Sequence, residues 1–280
     1  MPELPEVETM RRGVLAVVGH RIADVRAGDC ALRPISISPP LDELVKQLKG
    51  RSIDAVERIG KRVAFRLSDS QTLVIEPRMT GLVLLADPPN NTHLRLKLRL
   101  SGGNQRQLLF WDRRGLGTVR LHSPDSLAEL QGRLGPDALI VTAGELRDAL
   151  GKSSRAIKVA LLDQDRVAGI GNLYAAEVLF LAKIHPETPA RNLRPAHWKR
   201  LQSAISVVLH DAIAHEGSTL SDGTYRNALN QVGNYQNHHR VYDRVGQPCI
   251  RCRNSTIVRI VQSGRSTFYC PRCQRLAGGL

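Results

Sequence analysis

Two groups of residues in this chain could do chemistry, and they lie at opposite ends. At the start stands Pro2-Glu3-Leu4-Pro5-Glu6-Val7-Glu8-Thr9. A small residue at position 2 favours removal of Met1, which would leave a proline secondary amine as the terminus. With an ordinary pKa of about 7.7–8, such an amine is partly neutral at physiological pH, and it can attack an electrophilic carbon and form a Schiff base. Glu3 places a carboxylate beside it. At the far end, Cys249-x2-Cys252-x17-Cys270-x2-Cys273 pairs two CxxC knuckles across a hairpin-length spacer, the spacing of one tetrahedral structural zinc. Two disulfides would be the alternative, but they do not persist in a reducing cytosol. Four thiolates complete the metal shell without His238 or His239. Cys30 stands alone and is expected as a small buried apolar side chain.

The elements that position these groups follow from periodicity. Pro5 suits a first helical turn and Glu6 and Glu8 its positive end, while Val7, Met10, Val14 and Val18 recur at helical spacing. A helix therefore begins just after Pro2 and Glu3, and its dipole disfavours a protonated amine. To about residue 135 the chain reads as short strands, most clearly at 93–100, where leucines alternate with cations, and also at 71–75, 82–85, 107–111 and 118–121. A two-layer β-sandwich with the helix at its side accounts for them. Pro136, Gly144 and Gly151 break the pattern, so the connection between domains is placed at 136–152. Helical spacing returns at 156–162, 173–182 and 195–215, with Gly169-Ile170-Gly171-Asn172 turning between the first two. The fold class is α+β: a sandwich domain (1–135), a linker (136–152), a helix–two-turn–helix domain (153–235) and a zinc hairpin (236–280).

Composition narrows the partner. The 280 residues carry 40 Lys and Arg against 26 Asp and Glu, a net charge of +14, which favours a polyanion through phosphate attraction and counterion release. No apolar run approaches a membrane span, and the N-terminus lacks a secretory pattern. A cytoplasmic monomer is expected, with no membrane partner.

The opening string resembles that of the formamidopyrimidine-DNA glycosylase family. Further motifs agree: Ile157-Lys158, Leu161-Leu162-Asp163-Gln164 and Val167 through Glu177; Tyr235-Gln236-Asn237 with Val241-Tyr242; and the four cysteines. Together they run from one end of the chain to the other. The resemblance implies a bifunctional glycosylase and AP lyase acting on duplex DNA with oxidised purines or abasic sites, cutting by β,δ-elimination, with nucleoid-associated localisation. It gives Pro2 the attacking amine and Glu3 proton management. Lys61 takes the lesion's phosphate and β-elimination, and Arg265, near the hairpin tip, the flanking phosphates and δ-elimination. Lys158, Asn172 and His93 become DNA contacts. Met79, Arg114 and Leu116 fill the void left by the flipped nucleotide, with Arg114 facing the orphaned cytosine.

The chain departs from the family pattern in places. Leu116 stands where phenylalanine is usual, Gly115 replaces a second basic residue, Glu76-Pro77 replaces His-Leu, and the cysteine spacer is one residue longer. Read without the family, Lys61 is a solvated turn lysine, Lys158 a surface lysine, and Met79 and Leu116 core. The rival readings are an endonuclease VIII-like glycosylase for oxidised pyrimidines, whose members usually carry glycine where this chain has Leu4, and a non-catalytic nucleic-acid-binding zinc protein, which would not need Pro2, Glu3 and Lys61.

Overall fold

Pro5 and Glu6 sit in the first turn of helix α1 (Leu4–Gly13), whose Val7, Met10 and Val14 enter the core. The structure, a computed structural model, describes residues 2–276. Past α1 the chain tightens into a 3-10 turn at Leu15–Val17. With three residues per turn, the inward position moves from 18 to 17: Val17 is buried, whereas Val18, expected in the apolar stripe, is 42% exposed.

The chain divides into two units, Met1–Gly132 with Ile213–Gln236, and Arg133–Ala212 with Asn237–Leu280. In the first, strands β1 (Arg21–Ala27), β2 (Ser36–Ser38), β3 (Ile53–Ile59), β4 (Arg62–Leu67), β5 (Thr72–Glu76), β6 (Gly81–Leu84), β7 (Leu94–Ser101), β8 (Gln107–Asp112) and β9 (Thr118–His122) form two sheets. Their orders are β1-β7-β8-β6 and β2-β9-β5-β4-β3. All neighbours pair antiparallel except β2 and β9. Leucine, isoleucine and valine from both sheets, with Phe65, Phe110 and Trp111, share one core with α1.

Two helices interrupt the stretch read as strands, α2 (Leu41–Leu48) and α3 (Pro124–Gly132). In α2, Leu44 and Leu48 are fully buried at helical spacing, with Asp42 and Glu43 favouring its positive end. The alternation in β7 also fails at one cation. A register shift between Leu94 and Leu96 turns Arg95 inward, to 5% exposure, while Lys97 and Arg99 stay outside. Cys30 is half-buried rather than buried.

The second unit holds α4 (Ala143–Leu150), α5 (Ile157–Leu161), α6 (Asn172–Ala182), most of α7 (Pro195–Ala214) and the hairpin β10 (Val258–Gln262)–β11 (Arg265–Tyr269). Residues 136–152, read as a linker, thus contain α4. Its N-terminus is closed by a Thr142–Glu145 capping box, and Leu146 and Leu150 are buried. Residues 213–235, read as part of the helical domain, and Gln236, read as the start of the zinc hairpin, group with the sandwich. Ala176 and Phe180 of α6 pack with Val241, Ile257, Phe268, Cys249 and Cys270. Among the described residues, no helix is long and apolar enough to cross a membrane.

Candidate active site

Pro2 and Glu3 are buried immediately ahead of α1. Their place is fixed by Glu6, which the sequence reading treated only as a complement to the helix dipole. One carboxylate oxygen of Glu6 accepts the Glu3 backbone N–H at 2.8 Å, and the other accepts the Ser218 N–H at 2.9 Å. Gly217 makes this approach possible: its φ is +79°, and a Cβ there would lie 2.9 Å from Glu6 Oε1. The local half of this link was legible, since Glu3 and Glu6 stand at N-cap and N3 spacing.

A second acid positions Lys61. The two-residue turn Gly60-Lys61 joins β3 to β4 and leaves Lys61 half-buried. Arg58 Nη1 donates to the Gly60 carbonyl at 3.0 Å, and Arg58 Nε reaches Glu8 Oε2 on α1 at 3.3 Å. Glu8 also accepts from Arg11 and Arg12. Burial by itself would raise the Glu8 carboxyl, but the hydrogen bonds from Arg11 and Arg12 and the nearby charges hold it below the usual carboxylate value. The helix behind Pro2 is thereby tied to the lysine turn.

Met79 lies half-buried in the turn after β5, and the loop between β8 and β9 carries exposed Arg114 and half-buried Leu116. Neither Met79 nor Leu116 belongs to the buried core. Arg95 braces the loop from below, donating to the carbonyls of Asp112 at 2.7 Å and Arg33 at 2.8 Å. His93 precedes β7 with its ring edge-on to Trp111, centroids 5.4 Å apart, so it is packed and not simply solvated.

In the second unit, Lys158 is fully buried, unlike the surface lysine its sequence context suggested. Its Nζ donates to Asn172 Oδ1 at 2.5 Å, and Asn172 Nδ2 donates to the Ser266 carbonyl of β11 at 3.0 Å. One amide therefore joins α5, the start of α6 and the hairpin. Gln164 shapes the turn between the helices, accepting the Gly169 N–H and donating to the Ile170 carbonyl, both at 2.9 Å. The hairpin turns at Ser263-Gly264, both at positive φ as a tight two-residue turn demands. Arg265 follows, exposed to solvent. Buried Glu177 holds the turn before the knuckles by accepting the backbone N–H groups of Arg240, Val241 and Tyr242 at 2.8–2.9 Å.

The four cysteine sulfurs lie within 4.8 Å of one another. Cys249–Cys273 and Cys252–Cys270 are each 3.8 Å apart, far beyond a disulfide bond. A tetrahedron with Zn–S bonds of about 2.3 Å has edges of about 3.8 Å. Burial, then the neighbouring thiols, push Cys273 up to about 12, so four thiolates coexist there only around a cation. The residues fit one structural zinc.

Three family models match in chain order: the formamidopyrimidine-DNA glycosylase N-terminal domain over 1–119, the H2TH domain of the same enzymes over 134–224, and the zinc finger found in FPG and IleRS over 246–276. A formamidopyrimidine-DNA glycosylase of Chloroflexus aurantiacus is 41% identical over 98% of each chain. Among solved structures, a mutant Lactococcus lactis Fpg bound to Fapy-dG-containing DNA superposes with a TM-score of 0.86 at 36% identity, covering 98% of this chain and 100% of the other. The L. lactis Fpg complex with DNA containing an abasic site gives 0.86 at 35%, covering 98% and 99%.

Proposed function

Because the chain belongs to the formamidopyrimidine-DNA glycosylase family, we infer that it is a zinc-containing DNA glycosylase and AP lyase that removes oxidised purines from duplex DNA. The catalytic amine is the Pro2 nitrogen, freed by loss of Met1. Its attack on C1′ forms a C–N bond as the glycosidic bond breaks and the base departs. Loss of the nitrogen's proton, followed by opening of the sugar as its ring oxygen takes up a proton, gives an iminium ion. Loss of a C2′ proton then expels the 3′ phosphate, and a second elimination expels the 5′ phosphate. Glu3 moves protons at the sugar, as a carboxylate within reach of it can.

The other residues act on phosphates and on the gap in the duplex. Lys61 neutralises the lesion's phosphate during the first elimination. Exposed Arg265 offers a planar fork to the flanking phosphates. Asn172, with its amide oriented by Lys158 and its neighbours supplying N–H groups at the start of α6, grips the backbone, and His93 adds a contact. Met79, Arg114 and Leu116 fill the space vacated by the flipped nucleotide. The enzyme works as a monomer on the nucleoid, in a cytoplasm reducing enough to keep four thiols for zinc.

The observation that carries this reading is the buried Pro2-Glu3 terminus, locked by one carboxylate to residues far along the chain. Borohydride reduction during turnover of an 8-oxoguanine duplex should leave DNA on the N-terminal peptide in an intact-mass and digest analysis. Retained Met1, or an adduct on Lys61, rejects the Pro2 assignment.

A further inference from the structure

One buried acid in the sandwich unit has no part in the chemistry above. Asp112 ends β8 with no solvent exposure, and its carboxylate collects three donors. Thr80 Oγ1 donates to Oδ1 at 2.5 Å, the Arg114 N–H to Oδ1 at 3.2 Å, and the Gly117 N–H to Oδ2 at 2.7 Å. The Arg114 N–H is shared with Thr80 Oγ1 at 2.9 Å. Thr80 follows Met79 directly, and Arg114 and Gly117 flank Leu116.

The backbone around this acid has little freedom. Gly115 has a φ of +62°, and a Cβ there would fall 2.4 Å from the Arg33 carbonyl; at Gly117 it would fall 2.4 Å from the Phe110 ring. A buried carboxylate costs a great deal of free energy unless it is fully hydrogen-bonded, so the loop keeps the shape that satisfies Asp112. The Thr80 hydroxyl completes that set from the other turn.

We propose that Asp112 and Thr80 are a positioning pair that couples the Met79 turn to the Arg114–Leu116 loop, so that the three wedge residues enter the duplex as one body. This rests on the assignment of those three residues to the vacated space. Displacing one turn then displaces the other, and recognition of the partner base by Arg114 depends on a hydroxyl that touches no DNA.

Thr80→Val tests the pair, because it keeps the side chain's volume and removes only the hydroxyl, which donates to Asp112 and accepts from the Arg114 N–H, whereas Asp112→Ala risks the fold. For 8-oxoguanine opposite cytosine, single-turnover excision should fall about tenfold, as expected for one hydrogen bond to a charged group. The preference for cytosine over adenine as partner should shrink with it, and Thr80→Ser should restore both. Strand cleavage at a ready-made abasic site in single-stranded DNA, which needs no wedge, should keep the parent rate. Combined with Arg114→Ala, the losses should be less than multiplicative. Equal slowing of both reactions, or losses that multiply, would overturn the coupling. A parent protein that cleaves the single-stranded site but ignores the 8-oxoguanine duplex would overturn the wedge assignment and the coupling with it.

Discussion

Leu116 is the single side chain from which most can be learned about lesion capture. It is half-exposed in a loop whose backbone is fixed, and it offers volume without a flat face. Aromatic stacking on a base contributes roughly 1–3 kcal/mol, so Leu116→Phe should tighten binding to an 8-oxoguanine:cytosine duplex by at least about fivefold, read by fluorescence anisotropy. Arg114→Ala should lower excision and erode discrimination against adenine. No change with Leu116→Phe, together with unfolding of Leu116→Ala, would mark Leu116 as a packing residue. The candidate site residues were picked out by their motifs, whereas the acids that hold those residues in place within the fold were not. Glu6 acts through Ser218, 212 positions away, and no local pattern encodes such a partner. Lys158 looks like a solvated cation in one dimension because its burial is created by α6 and the loop before it.

Among the elements, the zinc hairpin separates structure from contact most cleanly. Cys249→Ala should release zinc and unfold β10–β11, while Arg265→Ala should keep full zinc content, measured by a colorimetric chelator, and lose DNA affinity and strand cleavage. Loss of metal from Arg265→Ala would contradict that division. The segment before the knuckles adds a pH dependence. His239 is buried, and that burial, acting with nearby Arg244 and Arg240, lowers its pKa from 6.5 to about 4. The unfolded chain therefore takes up a proton below pH 6.5 that the folded chain refuses, so this contribution is complete above pH 6.5 and lost as pH falls through about 4. His239→Gln should flatten the fall in melting temperature across that window, and an unchanged slope would assign it to other groups. The longer helices showed in their 3.6-residue spacing. The shorter α4 was hidden by Gly144 and Gly151, although Thr142 and Glu145 stand at capping-box spacing, and Arg95 was misplaced because a register shift leaves no mark in an alternating string.

For the whole molecule, charge and division into units set the behaviour. A net charge of +14 implies DNA affinity that falls steeply with salt, and each phosphate contact removed lowers the log–log slope by about 0.9. Arg265→Ala should reduce that slope by about one phosphate's worth, whereas Thr80→Val should leave it alone. Each unit has its own apolar core and one tryptophan, Trp111 in the first and Trp198 in the second. Chelating zinc should therefore lower the melting transition reported near Trp198 and spare that near Trp111, as separate single-tryptophan variants would show.

The contact between Glu6 and Ser218 also orders events on the ribosome. The first unit draws residues 213–236 from beyond most of the second, and Tyr225 and Ala228 complete its core. Until those residues are translated, the sandwich is unfinished and the front of the chain has no carboxylate bridge to close it down. The front of the chain is thus left open for as long as the ribosome takes to reach residue 236, and nascent chains stalled before residue 213 should be cut by protease within the first strands, whereas chains stalled well past residue 236 should resist.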